Sequence, residues 1–167
     1  MSVSVASSPP ESRRLYVAAL RPTVSRWARL LAMGIASACL AVLIVATTLT
    51  PSPTGVGSHR GMGLQNCQLL DRTGIPCPSC GMTTSFTWFV RGNLAASLYV
   101  QPMGMLAALA CACCVWAGGY IAITGRPIHR LLLQFSARAW LIGLLGFTIA
   151  AWGWKIYIRL KGIDGWM

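Results

Sequence analysis

Three long apolar stretches dominate the pattern along the chain, separated by segments rich in glycine, proline and basic residues. The first, residues 27–49, carries one charge, Arg29, near its start. As a helix rising 1.5 Å per residue it covers ~34 Å, enough to cross a hydrocarbon layer of about 30 Å with some tilt. Pro51 and Pro53 stop it, because proline cannot continue the helical hydrogen-bond ladder. The second stretch, residues 102–124, opens on Pro102, where a first-turn residue needs no amide partner, and ends at Gly125-Arg126-Pro127. The third, residues 139–157, finishes with Lys155, Arg159 and Lys161. Trp140, Trp152, Trp154 and Tyr157 near its ends suit the aromatic belt of a membrane–water interface.

Between the first and second stretches the pattern changes twice. Residues 50–81 are turn-rich, with Gly74, Pro76, Pro78 and Gly81 among the breakers. From residue 82 to 100 the chain is apolar again, but Arg91-Gly92-Asn93 divides it. That spacing predicts two short helices, 83–90 and 94–100, the second capped by Asn93. Neither is long enough to span, so each is expected at the interface or in a re-entrant pair shielded by protein. The predicted fold is an all-α integral membrane protein with three transmembrane helices, plus two short interfacial or re-entrant helices between the first and second spans. A Ser-rich, basic tail over residues 1–26 has little apolar surface to bury and is expected to be disordered. Residues 27–158 form the membrane domain, with the cysteine loop and short helices at 50–101, and residues 159–167 form a short C-terminal tail.

Composition supports the bilayer. Hydrophobic residues make up 55% of the chain and charged residues 10%, against about 25% charged in soluble domains. A water-soluble fold of this size could not hide so much apolar surface. The 14 Lys and Arg against 3 Asp and Glu do not form a stripe with interleaved aromatics, so nucleic acid is excluded as a partner. They flank the apolar runs, as helix-end anchors facing anionic headgroups do. The expected partners are the lipid bilayer and a membrane protein or a second copy of the chain. Eight basic residues lie on the N-terminal flank and the 125–138 loop and six on the opposite side. The positive-inside rule therefore puts the N-terminus in the cytoplasm and the cysteine loop outside it.

Seven cysteines carry the candidate chemistry. Cys39, Cys111, Cys113 and Cys114 lie within spans, where cysteine serves as a small hydrophobe that lets helices approach. Cys77-Pro78-Ser79-Cys80-Gly81 is different, a rigid turn with paired thiols directly before a helix. Three readings stand side by side. The turn can be half of a metal site, zinc being the natural ion, with Cys67 and His59 completing the ligands. It can be a redox dithiol at a helix N-terminus, where the dipole lowers a thiol pKa. Or a disulfide among Cys67, Cys77 and Cys80 staples an extracytoplasmic loop. No Ser-His-Asp set, phosphate loop or HExxH is present, and Asp71 is the only acid of the first loop.

The run Cys67…Thr73-Gly74-Ile75-Pro76-Cys77-Pro78-Ser79-Cys80-Gly81-Met82-Thr83, followed by Arg91-Gly92-Asn93-Leu94-Ala95-Ala96 and Gln101-Pro102, resembles a bacterial membrane-protein family. That family is known as domain of unknown function 2752, with a pattern close to C…TGxPCPGCGxTR…hGxhxxA…NP. The resemblance covers about residues 64–106. It implies a multi-pass bacterial membrane protein, here expected in the inner membrane, and brings no established activity. Ser79 stands for the usual glycine, Gln101 for the usual Asn, and Thr84 where the family commonly has Arg. Losing that cation weakens the redox reading most. The sequence thus leads to a binding or accessory component of a membrane assembly, more binding protein than enzyme. The alternative is a membrane thiol-disulfide oxidoreductase using Cys77 and Cys80.

Overall fold

The first apolar stretch forms helix α1 (Arg26–Thr48), started by Ser25, whose hydroxyl accepts from the Ala28 amide at 3.3 Å. A 3-10 turn, Ser58–Met62, and a short helix α2, Gln68–Thr73, follow inside the region read as turns alone. Then come α3 (Met82–Val90), α4 (Leu94–Val100), α5 (Pro102–Thr124) and α6 (Ala137–Leu160). The computed structural model describes residues 24–63, 65, 67–126 and 137–166, without the side chains of His59, Met62 and Ala137. The N-terminal tail up to residue 23 and the basic loop 127–136, with His129 and Arg130, lie outside the described residues. All described elements are helical. Three helices, Arg26–Thr48, Pro102–Thr124 and Arg138–Leu160, are long and apolar enough to cross a membrane, and the two short helices lie between the first and second of them. Their exposed Leu31, Ile44, Trp116, Ile123 and Ile142 suit a hydrocarbon surround.

Helices α1 and α5 pack as an antiparallel pair. A Cβ on Gly118 would stand 2.7 Å from both the Ala32 carbonyl oxygen and Ala36 Cβ, so only glycine permits this approach. Each helix of the pair has its C-terminal carbonyls held by an arginine. Arg29 Nη2 donates to Ala122 O at 2.5 Å, and Arg91 Nη2 donates to Leu49 O at 2.6 Å.

Helix α3 lies across one end of this pair. A Cβ on Gly104, in the first turn of α5, would meet Ser85 Cβ at 2.8 Å, while Arg91 at the far end of α3 reaches Leu49 at the end of α1. Both ends of α3 therefore touch terminal turns of the long helices. Asn93 caps α4 as predicted, its Oδ1 accepting from the Ala96 amide at 3.0 Å. Ser85 and Ser97, both fully buried, tie α3 to α4: Ser85 Oγ donates to Ser97 O at 2.9 Å and Ser97 Oγ to Ser85 O at 2.8 Å.

Helix α6 attaches by its C-terminal half. Ala151, Lys155 and Ile158, spaced to share one face, are buried. Trp154 Nε1 donates to Tyr99 O at 2.8 Å, and Tyr99 donates its hydroxyl to Ile163 O at 2.9 Å. The N-terminal half leaves Leu141, Ile142 and Leu145 exposed. The third span, read as 139–157, is thus part of a longer helix whose last turns hold the cysteine loop and the C-terminal tail.

Candidate metal and thiol centre

Cys67 caps the start of α2, and the helix closes at Gly74, which takes a left-handed φ of 70° and donates to Leu70 O at 2.9 Å. The chain then turns sharply. The Cys80 amide donates to Cys77 O at 3.0 Å, closing a turn around Pro78-Ser79. Gly81 follows with φ 88° and starts α3. These bends converge the three loop thiols, so that Sγ of Cys67, Cys77 and Cys80 all lie within 4.8 Å of one another. Cys77 and Cys80 sulfurs are 3.2 Å apart. That is well beyond the ~2.05 Å of a disulfide and within reach of a shared ion at about 2.3 Å per thiolate.

The three thiols differ electrically. The Leu70 amide at the start of α2 is the main cause that holds the Cys67 thiol down to about 7, from the usual 9.0. Burial, with hydrogen bonds from Cys77 and Cys67 acting the same way, pushes Cys80 up to about 12. One sulfur is therefore ready as thiolate near neutrality, while another gives up its proton only to something that replaces it.

The turn is pinned from outside by residues distant in sequence. Trp152 Nε1 donates to Pro76 O at 2.9 Å, and Gln101 Nε2 donates to Pro78 O at 2.8 Å. Gln101 thus spends its side chain on the turn and makes no side-chain cap for α5, which opens on Pro102. Its Oε1 is buried without a hydrogen-bond partner. Lys155 is fully buried, donating to Gly55 O at 3.0 Å and to Asp164 Oδ1 at 2.5 Å. Arg159 Nη1 stands 3.6 Å from the other Asp164 oxygen. A Cβ on Gly81 would lie 2.8 Å from Gly55 O and 2.9 Å from Lys155 Nζ, so this clamp fits only a glycine at the end of the cysteine turn.

Of the residues singled out from sequence, Cys67, Cys77 and Cys80 come together, with Gly74, Pro76, Pro78 and Gly81 shaping their turn. The His59 backbone lies in the 3-10 turn, and its side chain is outside the described ones. Thr84, where the family pattern has Arg, is fully buried and shares a hydrogen bond of 2.9 Å with Ser58 Oγ. The cation beside the turn comes instead from Lys155 on α6. Sequence reading took Lys155 for a helix-end anchor and Trp152 for a belt residue. A lysine lying before the final turn of an apolar helix, with an aspartate nine positions on, was the available signal, since an ionised group at that depth needs a partner. Cys39 of α1 lies within thiol hydrogen-bond reach of Cys111 and Cys114 of α5, consistent with small packing residues at that helix contact.

No curated protein and no solved structure matches the chain. A family model described as protein of unknown function DUF2752 matches residues 67–115. The match takes in all three loop cysteines, α2 to α4 and the first half of α5, and it ends before the Lys155–Asp164 clamp. Over residues 67–115 the chain is similar to that family of unknown function.

Proposed function

We propose that the Cys67–Cys77–Cys80 triad holds a thiophilic metal ion, with zinc the leading candidate, that anchors the loop and the two short helices of a multi-pass membrane protein. The observation that carries this reading is the convergence of three sulfurs within 4.8 Å. A disulfide uses two thiols and leaves the third without a task, whereas a metal centre uses all three. Thiolate donors select zinc and similar soft ions. The three leave room for a fourth donor, either His59 or water. In this role the protein is a binding or accessory component of a membrane assembly, with the ion holding a surface for a partner protein or a second copy. The basic-residue count supports a cytoplasmic N-terminus and a cysteine side facing away from the cytoplasm. The family resemblance supports the bacterial inner membrane as its site. The position of α3, across the ends of α1 and α5, supports an interfacial placement over a re-entrant one.

The second reading, a membrane thiol-disulfide oxidoreductase, draws on the Cys67 thiol at about 7 beside the Cys77–Cys80 pair. Elemental analysis and thiol counting on the purified chain separate the readings. The metal centre predicts about one ion per chain and all seven thiols free after denaturation without reductant. Absence of metal with two thiols missing would establish the disulfide. Absence of metal with every thiol free in the fold, and oxidised by a partner, would establish the oxidoreductase.

A further inference from the structure

Beneath α3 an apolar groove of about 430 Å³ runs along α1, lined by Ala41, Val42, Val45, Leu49, Met82 and Phe86 among others. From Ala41 to Leu49 the groove follows α1 for ~12 Å. Val42 and Val45 are 49% and 45% exposed, so the groove opens toward the surface that the span presents to hydrocarbon. Arg91 stands beside the groove's Leu49 end without lining it. Arg91 bonds Leu49 O and Thr87 O through one N–H of each terminal nitrogen, which leaves further N–H donors for an anion. The 3-10 turn carrying exposed Arg60 packs at the same place, where a Cβ on Gly61 would meet Leu49 Cδ2 at 3.5 Å. Among the described residues, no charged residue of either sign lines the groove itself, so the arginines act from its Leu49 end.

We propose that this groove is a binding site for an anionic phospholipid, with an acyl chain along Val42 and Val45 and the phosphate between Arg60 and Arg91. Groove volume and apolar lining suit a hydrocarbon chain. The depth order is that of a bilayer lipid, with apolar residues along the span and arginines where the span ends. Charge complementarity selects an acidic headgroup over a zwitterionic one, each arginine near the surface favouring it about fivefold. This site does not depend on a metal at the cysteine centre.

The test is native mass spectrometry of the full chain, released from mild detergent after equilibration with equal amounts of dioleoylphosphatidylglycerol and dioleoylphosphatidylcholine. The wild type should retain the glycerol lipid at least about fivefold over the choline lipid. Arg60→Gln, at an exposed position, should lower that preference without lowering total lipid. Val45→Trp, filling the groove from a half-exposed position, should lose most of both lipids, while Leu145→Trp on the exposed face of α6 should change neither. Equal retention of the two lipids by the wild type would overturn the proposal. So would full retention in folded Val45→Trp, or a Val45→Trp chain that loses a dimer and keeps its lipid, which would make the groove a contact between copies.

Discussion

Replacing Lys155 by methionine tests the clamp that joins α6, the cysteine turn and the C-terminal tail. The ammonium is fully buried and is held by Asp164 Oδ1 at 2.5 Å and Gly55 O at 3.0 Å. Methionine has similar length and fills the same space, so packing is largely kept and the electrostatic loss is isolated. Removing one member of a buried pair typically costs about 3–5 kcal/mol, because the other charge is left desolvated. Arg159, 3.6 Å from Asp164 Oδ2, still compensates part of that charge. The expected cost is therefore at the low end, about 3 kcal/mol, or roughly 6–12 °C in apparent melting temperature for a chain of this size. Asp164→Leu should cost a similar amount by stranding Lys155. The double variant removes both charges and leaves only Gly55 O without its donor, so it should fall short of the sum of the singles by at least about 2 kcal/mol. Thermal unfolding of the four proteins in one detergent, with helix content checked by circular dichroism, measures the cycle. A Lys155→Met protein as stable as wild type, or strictly additive effects, would refute the pairing.

Cys77→Ser and Cys80→Ser should each abolish zinc retention and lower stability by at least about 2 kcal/mol. Cys67→Ser should cost less and Cys111→Ser almost nothing, and equal melting of all four would refute a structural role for the centre. Zinc affinity measured against a chelator should rise with pH, about tenfold per unit for each proton displaced. Cys80, at about 12, gives up its proton throughout the range; below the Cys67 value of about 7 the Cys67 proton must leave as well, so the dependence should steepen there, and a flat profile would exclude these thiols as ligands. Gly81→Ala forces a Cβ to 2.8 Å from Gly55 O at φ 88° and should be at least twice as costly as Gly92→Ala, which meets nothing within 4 Å and bears only the ~1 kcal/mol strain of its left-handed φ. Similar unfolding curves for the two would refute the close packing at the turn. A reporter active only outside the cytoplasm should be active when fused after Ser58 and silent at Ile128, and the reverse would invert the orientation.

Much of the helical layout was legible because membrane-compatible helices are specified locally. Apolar length decides a span, and the punctuation that ends it acts within a few residues: Pro51, Pro102 at the start of α5, Asn93 at the cap of α4, Gly125 after Thr124. Helix α2 and the 3-10 turn were not legible, since six and five residues carry too little periodicity to stand out among glycines and prolines. The cysteine turn was visible as a motif for the same local reason. Its glycines and prolines set the backbone that brings Cys77 and Cys80 together whatever packs around them.

By itself the sequence determined the class of the protein, three apolar helices with two short ones and a thiol-bearing turn between the first pair, because hydrophobic length and turn chemistry act over short spans of chain. Only the tertiary structure decided that Cys67 joins the pair, that Lys155 and not a residue of α3 brings the cation, and that Gln101, Trp152 and Asp164 hold the turn in place. Those contacts link positions far apart along the chain. Their partners follow from which faces of α5 and α6 meet the loop, and a desolvated lysine identifies its counter-charge only once the fold has buried it.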